Sequence, residues 1–341
     1  MKILFVDPVC WKEHITYNQF WIETLNISNI SYDTAFVQGY QKLLNAKLIN
    51  AQNYEIAAPY GNSGLINNTR FLWHLYYKVN VRSYQYIVFS SINKLAFLCS
   101  PFFWSAKAII VSHSWKTPIT VFYKLLLKII SSKHILISLD NFIYEYLRNN
   151  KIRTHVIPHP IVQPFTTNTA THKEKQLINI FAPSKSIDKE LLDSLYKDTT
   201  LNNWLKEHKI KLHIRNHIYT QNSSNLIFST GYIQDSEYKN LFLNADIILI
   251  AYPSTFTNRV SNVFYEAIGN KKHIILLKGT HLDNYANEYD PNHTIIKPFN
   301  DIFSLKDAII NTKGDQKILS QLITEHSLIN MQKHFLSIVN K

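Results

Sequence analysis

The chain of 341 residues is 46% hydrophobic and 18% charged, which is typical of a globular protein, and its length favours two domains over one. Its 7 glycines, against about 24 at the usual frequency, exclude collagen-like and glycine-rich low-complexity chains. The net charge of +12 favours an anionic partner: nucleic acid, an acidic membrane leaflet or a phosphorylated small molecule.

The first apolar run, residues 2–6, is too short for a signal peptide, so we expect a buried first strand. The most apolar stretch, residues 95–111, is interrupted by Pro101 and Lys107 and predicts a helix followed by a strand rather than a membrane span. The basic residues are dispersed, and no RNA-binding aromatic box is present, so no nucleic-acid partner is expected. Two cysteines without a CxxC pair predict neither a disulfide framework nor a zinc site. We expect a cytoplasmic protein, with peripheral contact to the inner face of the cell membrane left open.

Short apolar runs alternate with longer amphipathic segments in the first half of the chain, which predicts a parallel sheet wrapped by helices. The predicted strands are residues 2–6, 54–57, 86–90, 108–112, 134–138 and 154–157. The predicted helices are residues 17–25, 32–44, 119–130 and 140–150.

A linker is predicted at residues 163–176, which are rich in Thr, Asn, Pro and Lys and have no apolar period. It separates a first domain, residues 1–162, from a second, residues 177–320, and residues 321–341 are expected to form a helix that packs back on the first domain. The second series has predicted strands at 178–182, 211–215, 226–229, 247–251 and 273–277, and helices at 188–196, 236–244 and 262–268. Residues 305–338 are expected to be helical with one break near 313–315.

This order of elements predicts an α/β protein with two Rossmann-like domains that face each other across a cleft. Ligands of open parallel sheets bind at the carboxyl ends of the strands, so we expect the site residues in those loops.

Two adjoining segments carry the most specific motif: residues 245–254, ADIILIAYPS, and residues 258–270, NRVSNVFYEAIGN. They resemble the nucleotide-sugar site of GT-B glycosyltransferases, in particular the retaining family four, where a strand ends in Pro-Ser and a Glu-x7-Glu loop leads into a helix. Further segments agree with that family in order and spacing, at residues 109–115, 156–161, 231–233 and 238–246. The resemblance covers most of the chain and implies a GT-B fold, with the acceptor on the first domain and the nucleotide-activated sugar on the second.

The resemblance also implies donor-binding residues. Glu266 would accept both ribose hydroxyls, and the start of its helix at Ser261 and Asn262 would bind the diphosphate. Asn258 stands where the family has its first Glu, and Ser261 replaces a Gly, so the contact with the donor sugar is expected to differ. The other donor-binding candidates are Arg259, Lys189, Ser254 and Gly231.

The family neutralises the leaving diphosphate with an Arg and a Lys from the first loop of the second domain. Here the loop after strand 178–182 offers Lys185 and no Arg, and Arg215, at the end of another strand, is the candidate for the guanidinium. Lys189 and Arg259 are the alternatives. Catalysis of this kind depends on fixed cations and on the alignment of two substrates, so neither a cofactor nor a metal is expected.

In the first domain, His113 follows a predicted strand and would contact the donor sugar or the acceptor. Retention, which the resemblance favours, needs no enzymic base because an oxygen of the departing phosphate takes the proton. Inversion would require one of Glu13, His14 or Asp7 as general base.

The predicted helix at 119–130 is basic and amphipathic, with Lys124, Lys128 and then Lys133 beside aromatic and aliphatic residues. Such a helix lies on an anionic bilayer or is an ordinary domain helix with a solvated face. Family habits imply a glycan or lipid-linked glycan acceptor in bacterial surface polysaccharide synthesis, such as capsule or lipopolysaccharide. A non-enzymic polyanion-binding protein is the alternative from another class.

Overall fold

The computed structural model describes residues 1–45, 47–113, 118–161, 164–165, 177–231, 233–257, 259–312 and 316–340. The chain forms two compact units. Unit 1 comprises Met1–Pro160, Asn258–Val260 and His326–Lys341, and unit 2 comprises Ile161–Thr257 and Ser261–Glu325. Apart from Pro164 and Phe165, the predicted linker lies outside the described residues.

Unit 1 has, in its described part, a parallel sheet of seven strands in the order β3-β2-β1-β4-β5-β6-β7. The strands are β1 (Lys2–Asp7), β2 (Ser31–Val37), β3 (Asn53–Ile56), β4 (Tyr86–Phe89), β5 (Ala108–Ser112), β6 (Ile135–Ser138) and β7 (His155–Val156). The helices between them are α1 (Ile15–Ile27), α2 (Leu65–Lys78), α3 (Lys94–Leu98), α4 (Phe102–Ser105), α5 (Val121–Lys133) and α6 (Asn141–Asn149). Residues 3–6 of the central strand β1 form a continuous buried apolar run, as is typical of a strand in a parallel sheet that helices cover on both faces.

Unit 2 contains a second sheet, whose described strands run β10-β11-β9-β8-β12-β13-β14, all parallel except β10. The strands are β8 (Ile178–Ala182), β9 (Ile210–Asn216), β10 (Gln221–Asn222), β11 (Leu226–Thr230), β12 (Ile247–Ile250), β13 (His273–Leu277) and β14 (Ile296–Phe299). Its helices are α7 (Lys189–Lys197), α8 (Leu201–Glu207), α9 (Asp235–Asn244), α10 (Asn262–Gly269), α11 (Leu282–Tyr289), α12 (Ile302–Ile310) and α13 (Lys317–Glu325).

The last helix, α14 (Leu328–Val339), belongs to unit 1 although it follows unit 2 in the chain. Phe335 of α14 meets the fully buried Trp21 of α1 edge to face, with 5.3 Å between ring centroids. The end of the chain therefore completes the core of unit 1.

The helix predicted at residues 32–44 is wrong. This segment contains β2 and a 3-10 turn at Tyr40–Leu43, and Gly39 between them has a φ of +82°, which favours glycine. Because β2 is buried on both faces except at its first residue, it shows no alternation, and its apolar positions imitate a helical period.

Further differences concern the second half, where β10, α8 and α11 were not predicted. Strand β14 was not predicted, because Pro298 argues against a strand and is tolerated here at the edge of the sheet. Residues 305–338 have a second break at His326, where the chain passes from unit 2 to unit 1, and Ser327 caps α14 by accepting from the backbone N–H of Asn330. The break expected near 313–315 lies outside the described residues.

None of the described helices combines the length and the apolar character needed to cross a membrane.

Candidate functional site

In unit 2 the strand order reverses beside β8, which has β9 on one side and β12 on the other. Chain connections leave in opposite directions at such a point, and the loops after β8 and β12 open a crevice at the carboxyl ends of the strands. The backbone N–H of Asp188 donates to the carbonyl of Ala251 at 2.7 Å, which fixes the two loops to each other. A ligand site in unit 2 is therefore expected here.

A carboxylate and a phenol form the centre of this site. Tyr238 of α9 donates from Oη to Oε2 of the half-buried Glu266 of α10, at 2.6 Å. Burial raises the pKa of Glu266 to about 7, and the hydrogen bond from Tyr238 opposes this rise. Burial, together with the neighbouring carboxylate, raises the pKa of Tyr238 well above its ordinary value. Glu266 thus changes charge near neutral pH, and its ionised form has two oxygens that accept ligand hydroxyls.

The start of α10 is held by hydroxyl groups. Ser261 is buried and caps the helix, since its Oγ accepts from the backbone N–H of Phe264 at 3.2 Å. The hydroxyls of Ser261 and Tyr252 are 2.9 Å apart, and Ser184, in the loop after β8, also hydrogen-bonds to Tyr252. These contacts fix the first turn, which begins at Asn262 and presents backbone N–H groups with a partial positive charge.

The predicted cations Arg215 and Lys185 belong to the same crevice. Arg215 lies near the end of β9, and its Nη1 donates to the carbonyl of Pro183, two residues before Lys185, at 3.4 Å. Its Nε is buried without a hydrogen-bond partner among the described residues. A buried guanidinium N–H without a partner costs free energy that an anionic ligand oxygen would recover. Lys185 is half-buried in the loop itself.

Other predicted donor residues lie apart from this group. Lys189, the first residue of α7, is exposed and pairs with Asp193 at 2.8 Å. Arg259 is exposed and belongs to the stretch assigned to unit 1. Ser254 and Gly231 lie in exposed loops, and the φ of +90° at Gly231 is a backbone conformation that favours glycine. Asn258 lies outside the described residues.

Unit 1 places a cluster of rings near the carboxyl end of its sheet. His113, directly after β5, stacks on His14 with 4.2 Å between ring centroids, and Tyr17 meets His113 edge to face at 4.4 Å. His159 is 5.4 Å from Tyr17. Sequence analysis identified His14 and His113 but missed Tyr17 and His159, which only the fold brings beside them.

His113 is uncharged at neutral pH. Burial, followed by the charges of His14, His159 and Lys94, lowers its pKa well below the ordinary value. Its Nε2 lies 3.0 Å from the carbonyl of Ser90, which can only accept, so Nε2 carries the hydrogen and Nδ1 has the lone pair. His113 can therefore accept a hydrogen bond from a ligand hydroxyl.

The candidate bases Asp7 and Glu13 differ in their surroundings. Asp7 is fully buried, and its carboxylate accepts from the backbone N–H groups of Val9 and Cys10, from the Ser91 hydroxyl and from the Asn18 amide. It fixes the loop after β1. Glu13 lies in a 3-10 turn, and its side chain is outside the described part of the structure. Within the described ranges, no group of three or more His, Cys, Asp or Glu residues is suited to a metal ion.

No protein-family model and no curated protein matches the sequence. Solved structures do match over the whole chain. A glycosyltransferase from Rickettsia africae gives a TM-score of 0.65 at 16% identity, over 99% of this chain and 97% of the other. The chain has the GT-B fold. HepE of Anabaena, solved in complex with UDP, gives 0.62 at 11% identity over 100% of both chains. An E. coli trehalose-6-phosphate protein bound with UDP-2-fluoro glucose gives 0.63 at 14% identity, over 100% of this chain and 99% of the other.

The GT-B likeness confirms the predicted fold class, with two parallel-sheet units and a C-terminal helix. Tyr238 and Tyr252 are the residues of unit 2 that sequence analysis missed. A buried Glu needs a hydrogen-bond partner, which is a signal that one exists. It does not identify Tyr238, which is 28 positions away along the chain.

Proposed function

We propose that this protein is a glycosyltransferase that moves a sugar from a nucleotide-diphosphate donor to a glycan acceptor, with the donor bound by unit 2. The observation that carries the proposal is the pairing of Glu266 with Tyr238 beside the start of α10, at the reversal point of the sheet. A nucleoside diphosphate offers two ribose hydroxyls and an anionic group, and this crevice offers a carboxylate acceptor, backbone N–H groups and cations. The UDP and UDP-sugar complexes of the GT-B relatives support the same class of ligand.

Each part of the donor has a partner in this proposal. Ionised Glu266 accepts the ribose hydroxyls, and the backbone N–H groups at Ser261 and Asn262 bind the diphosphate. Arg215 and Lys185 neutralise the charge that develops on the leaving phosphate, and the unsatisfied Nε of Arg215 gains a partner in doing so. Because protein cations take this role, we propose transfer without a metal or cofactor.

We propose retention at the anomeric carbon. Retention needs no enzymic base, and the surroundings of Asp7, one of the three candidate bases for inversion, support that choice. The carboxylate of Asp7 already accepts four hydrogen bonds. Burial lowers the pKa of His113 well below its ordinary value, so its imidazole is a weak base. His113 would instead orient the acceptor hydroxyl through Nδ1. Inversion with His14 or Glu13 as base is the competing mechanism, and the anomeric configuration of the product distinguishes the two.

The acceptor proposed is a glycan or a lipid-linked glycan of a bacterial surface polysaccharide, such as capsule or lipopolysaccharide. The support is the resemblance of the sequence to family four, whose members commonly act in such pathways. A lipid-linked acceptor would place the enzyme at the inner face of the cell membrane.

Calorimetric titration with UDP, GDP, ADP, CDP and CMP tests donor binding. We expect one nucleoside diphosphate to bind, and Glu266→Gln to weaken it about tenfold or more, since a charged acceptor is lost. Glu237→Gln on the exposed face of α9 is the matched control and should leave the affinity unchanged.

Failure of all these nucleotides to bind would contradict the proposal. Salt-sensitive binding of any polyphosphate, with the same affinity in Glu266→Gln, would instead support the non-enzymic polyanion-binding alternative.

A further inference from the structure

The net positive charge of the chain is concentrated in one part of unit 1, because acidic residues are absent from it. No Asp or Glu occurs between Glu55 and Asp140, whereas nine Lys and Arg do. This acid-free segment contains α2, α3, α4 and α5, which connect β3, β4, β5 and β6. All of these connections pass in the same direction across the sheet, so right-handed crossovers place the four helices on one face.

Helix α5 has an exposed apolar stripe on its outer side. Leu126, Leu127 and Ile130 are buried, whereas Phe122 is 65% exposed and Leu125 is 57% exposed. Phe122, Leu125, Ile129 and Lys133 follow one another at helical spacing along the exposed side, and Lys128 is exposed beside them.

Aromatic residues extend this stripe onto the neighbouring helices. Trp104 of α4 is 73% exposed, and the Nζ of Lys133 lies 4.0 Å from its ring centroid. Trp104 and Trp73 of α2 line one cavity of about 950 Å³, which Arg82 also lines. Tyr77, one turn after Trp73, is 78% exposed. The exposed residues of α5 thus form one surface with Trp104, Trp73, Tyr77 and Arg82, which we call the acid-free face.

We infer that the acid-free face is a docking surface for a bilayer that carries anionic phospholipid headgroups. Its aliphatic residues enter the boundary between headgroups and acyl chains, Trp73, Trp104 and Tyr77 take the interfacial positions that such rings favour, and Lys128, Lys133 and Arg82 bind phosphates. The surface lies wholly on unit 1, so it is independent of the proposed donor site.

Other occupants agree less well with the observations. Nucleic acid would use the cations but leave Phe122 and Leu125 in water. A second copy of the chain would bring two faces of the same sign together, because a two-fold contact pairs a surface with itself. An anionic bilayer satisfies the apolar and the cationic residues at once.

Co-sedimentation of the full chain with vesicles tests this inference. We expect it to bind vesicles of phosphatidylglycerol and phosphatidylcholine, to bind weakly to phosphatidylcholine alone, and to be released by salt. Phe122→Gln/Leu125→Gln should lower the partition coefficient about tenfold or more. Lys128→Gln/Lys133→Gln should lower it several-fold on anionic vesicles only.

Matched controls remove the same groups elsewhere. Phe303→Gln/Ile329→Gln removes two exposed apolar side chains from α12 and α14, and Lys197→Gln/Lys333→Gln removes two exposed lysines. Both controls should bind vesicles like the wild type, and all variants should keep the circular dichroism spectrum and thermal unfolding transition of the wild type, which shows that unit 1 folds.

Three results would overturn the inference: no binding to anionic vesicles, equal and salt-independent binding to neutral ones, or binding that the Phe122/Leu125 variant retains. Concentration-dependent dimerisation without lipid that this variant abolishes would also overturn it and assign the face to a second copy.

Discussion

The carboxyl ends of the strands carry different functional groups in the two sheets. The edge of unit 2 has a carboxylate paired with a phenol, a guanidinium whose Nε is buried, and a helix start capped by hydroxyls. The edge of unit 1 has stacked rings around an imidazole that stays neutral. Both edges arise from the same sheet architecture, so the fold fixes where a ligand binds and the loop residues decide what kind.

This contrast agrees with the proposal that unit 2 binds the donor and unit 1 binds the acceptor. A nucleoside diphosphate needs cations and hydrogen-bonding groups of defined charge. A sugar acceptor is uncharged at its reacting hydroxyl, and rings with a neutral acceptor atom suit it better. The predictions below separate the two edges, because a change in one should leave the function of the other intact.

Arg215→Ala should have the largest effect. Removing the guanidinium takes away stabilisation of the leaving phosphate, and we expect transfer to fall by roughly 10²- to 10³-fold. The measurement is the rate of nucleoside diphosphate release at saturating donor and acceptor, with acceptor KM as the second readout. A change confined to the KM for the acceptor would show that Arg215 acts on acceptor binding, which contradicts its proposed role at the donor phosphate.

His113→Phe tests the edge of unit 1. The phenyl ring keeps the stack on His14 but loses Nδ1, so we expect acceptor KM to rise about tenfold while nucleotide affinity stays the same. The carbonyl of Ser90 also loses its donor, which should reduce the free energy of unfolding by about 1–3 kcal/mol.

Denaturant unfolding measures that loss, and His334→Phe, on the exposed side of α14, is the control. Weakened nucleotide binding in His113→Phe would contradict the proposal that unit 1 binds the acceptor and unit 2 binds the donor.

Tyr238→Phe should shift the pH dependence of donor binding. The folded pKa of Glu266 is raised from 4.5 to about 7, so the ionised form, and with it nucleotide affinity, increases as the pH rises from 6 to 8. Loss of the Tyr238 hydroxyl raises this pKa further, so affinity should fall several-fold at pH 7 and recover at higher pH. Calorimetry across this range measures the pH midpoint of nucleotide affinity. The same midpoint in Tyr238→Phe and the wild type would contradict the claim that the Tyr238 hydroxyl lowers the pKa of Glu266.

The same raised pKa affects stability without ligand. Between pH 4.5 and 7 the folded state binds more protons at Glu266 than the unfolded state does, so stability should decrease as the pH rises through this window. Glu266→Gln should flatten this dependence, which thermal unfolding at several pH values would measure.

Lys189→Ala should have the smallest effect. Its side chain is exposed and paired with Asp193 on the surface of α7, so we expect transfer rates within about twofold of the wild type. A large loss of transfer rate would assign the binding of the leaving phosphate to Lys189 instead of Arg215 and Lys185.

Most of the sheet architecture could be predicted, because short apolar runs bounded by polar residues define strands such as β5, β8 and β13 to the residue. Prediction failed for β2, where burial on both faces removes the alternation, and for β14, where a proline hides an edge strand.

In the candidate site, Glu266 could be predicted from its sequence motif, and Arg215 from its position at the end of a predicted strand. Tyr238 could not be predicted, since its contact with Glu266 depends on how α9 and α10 pack against the sheet. The acid-free face also required the structure, because the sequence shows its cations but not which apolar residues of α5 remain exposed.

The most direct test of the central claim is a time course by proton NMR with a panel of nucleotide-activated sugars, without acceptor and then with candidate glycans. The account predicts that one donor releases its nucleoside diphosphate, that the transferred sugar keeps its anomeric configuration, and that Arg215→Ala nearly abolishes the release. Binding of a nucleotide without release of the diphosphate from any donor, with or without the glycans, would contradict it.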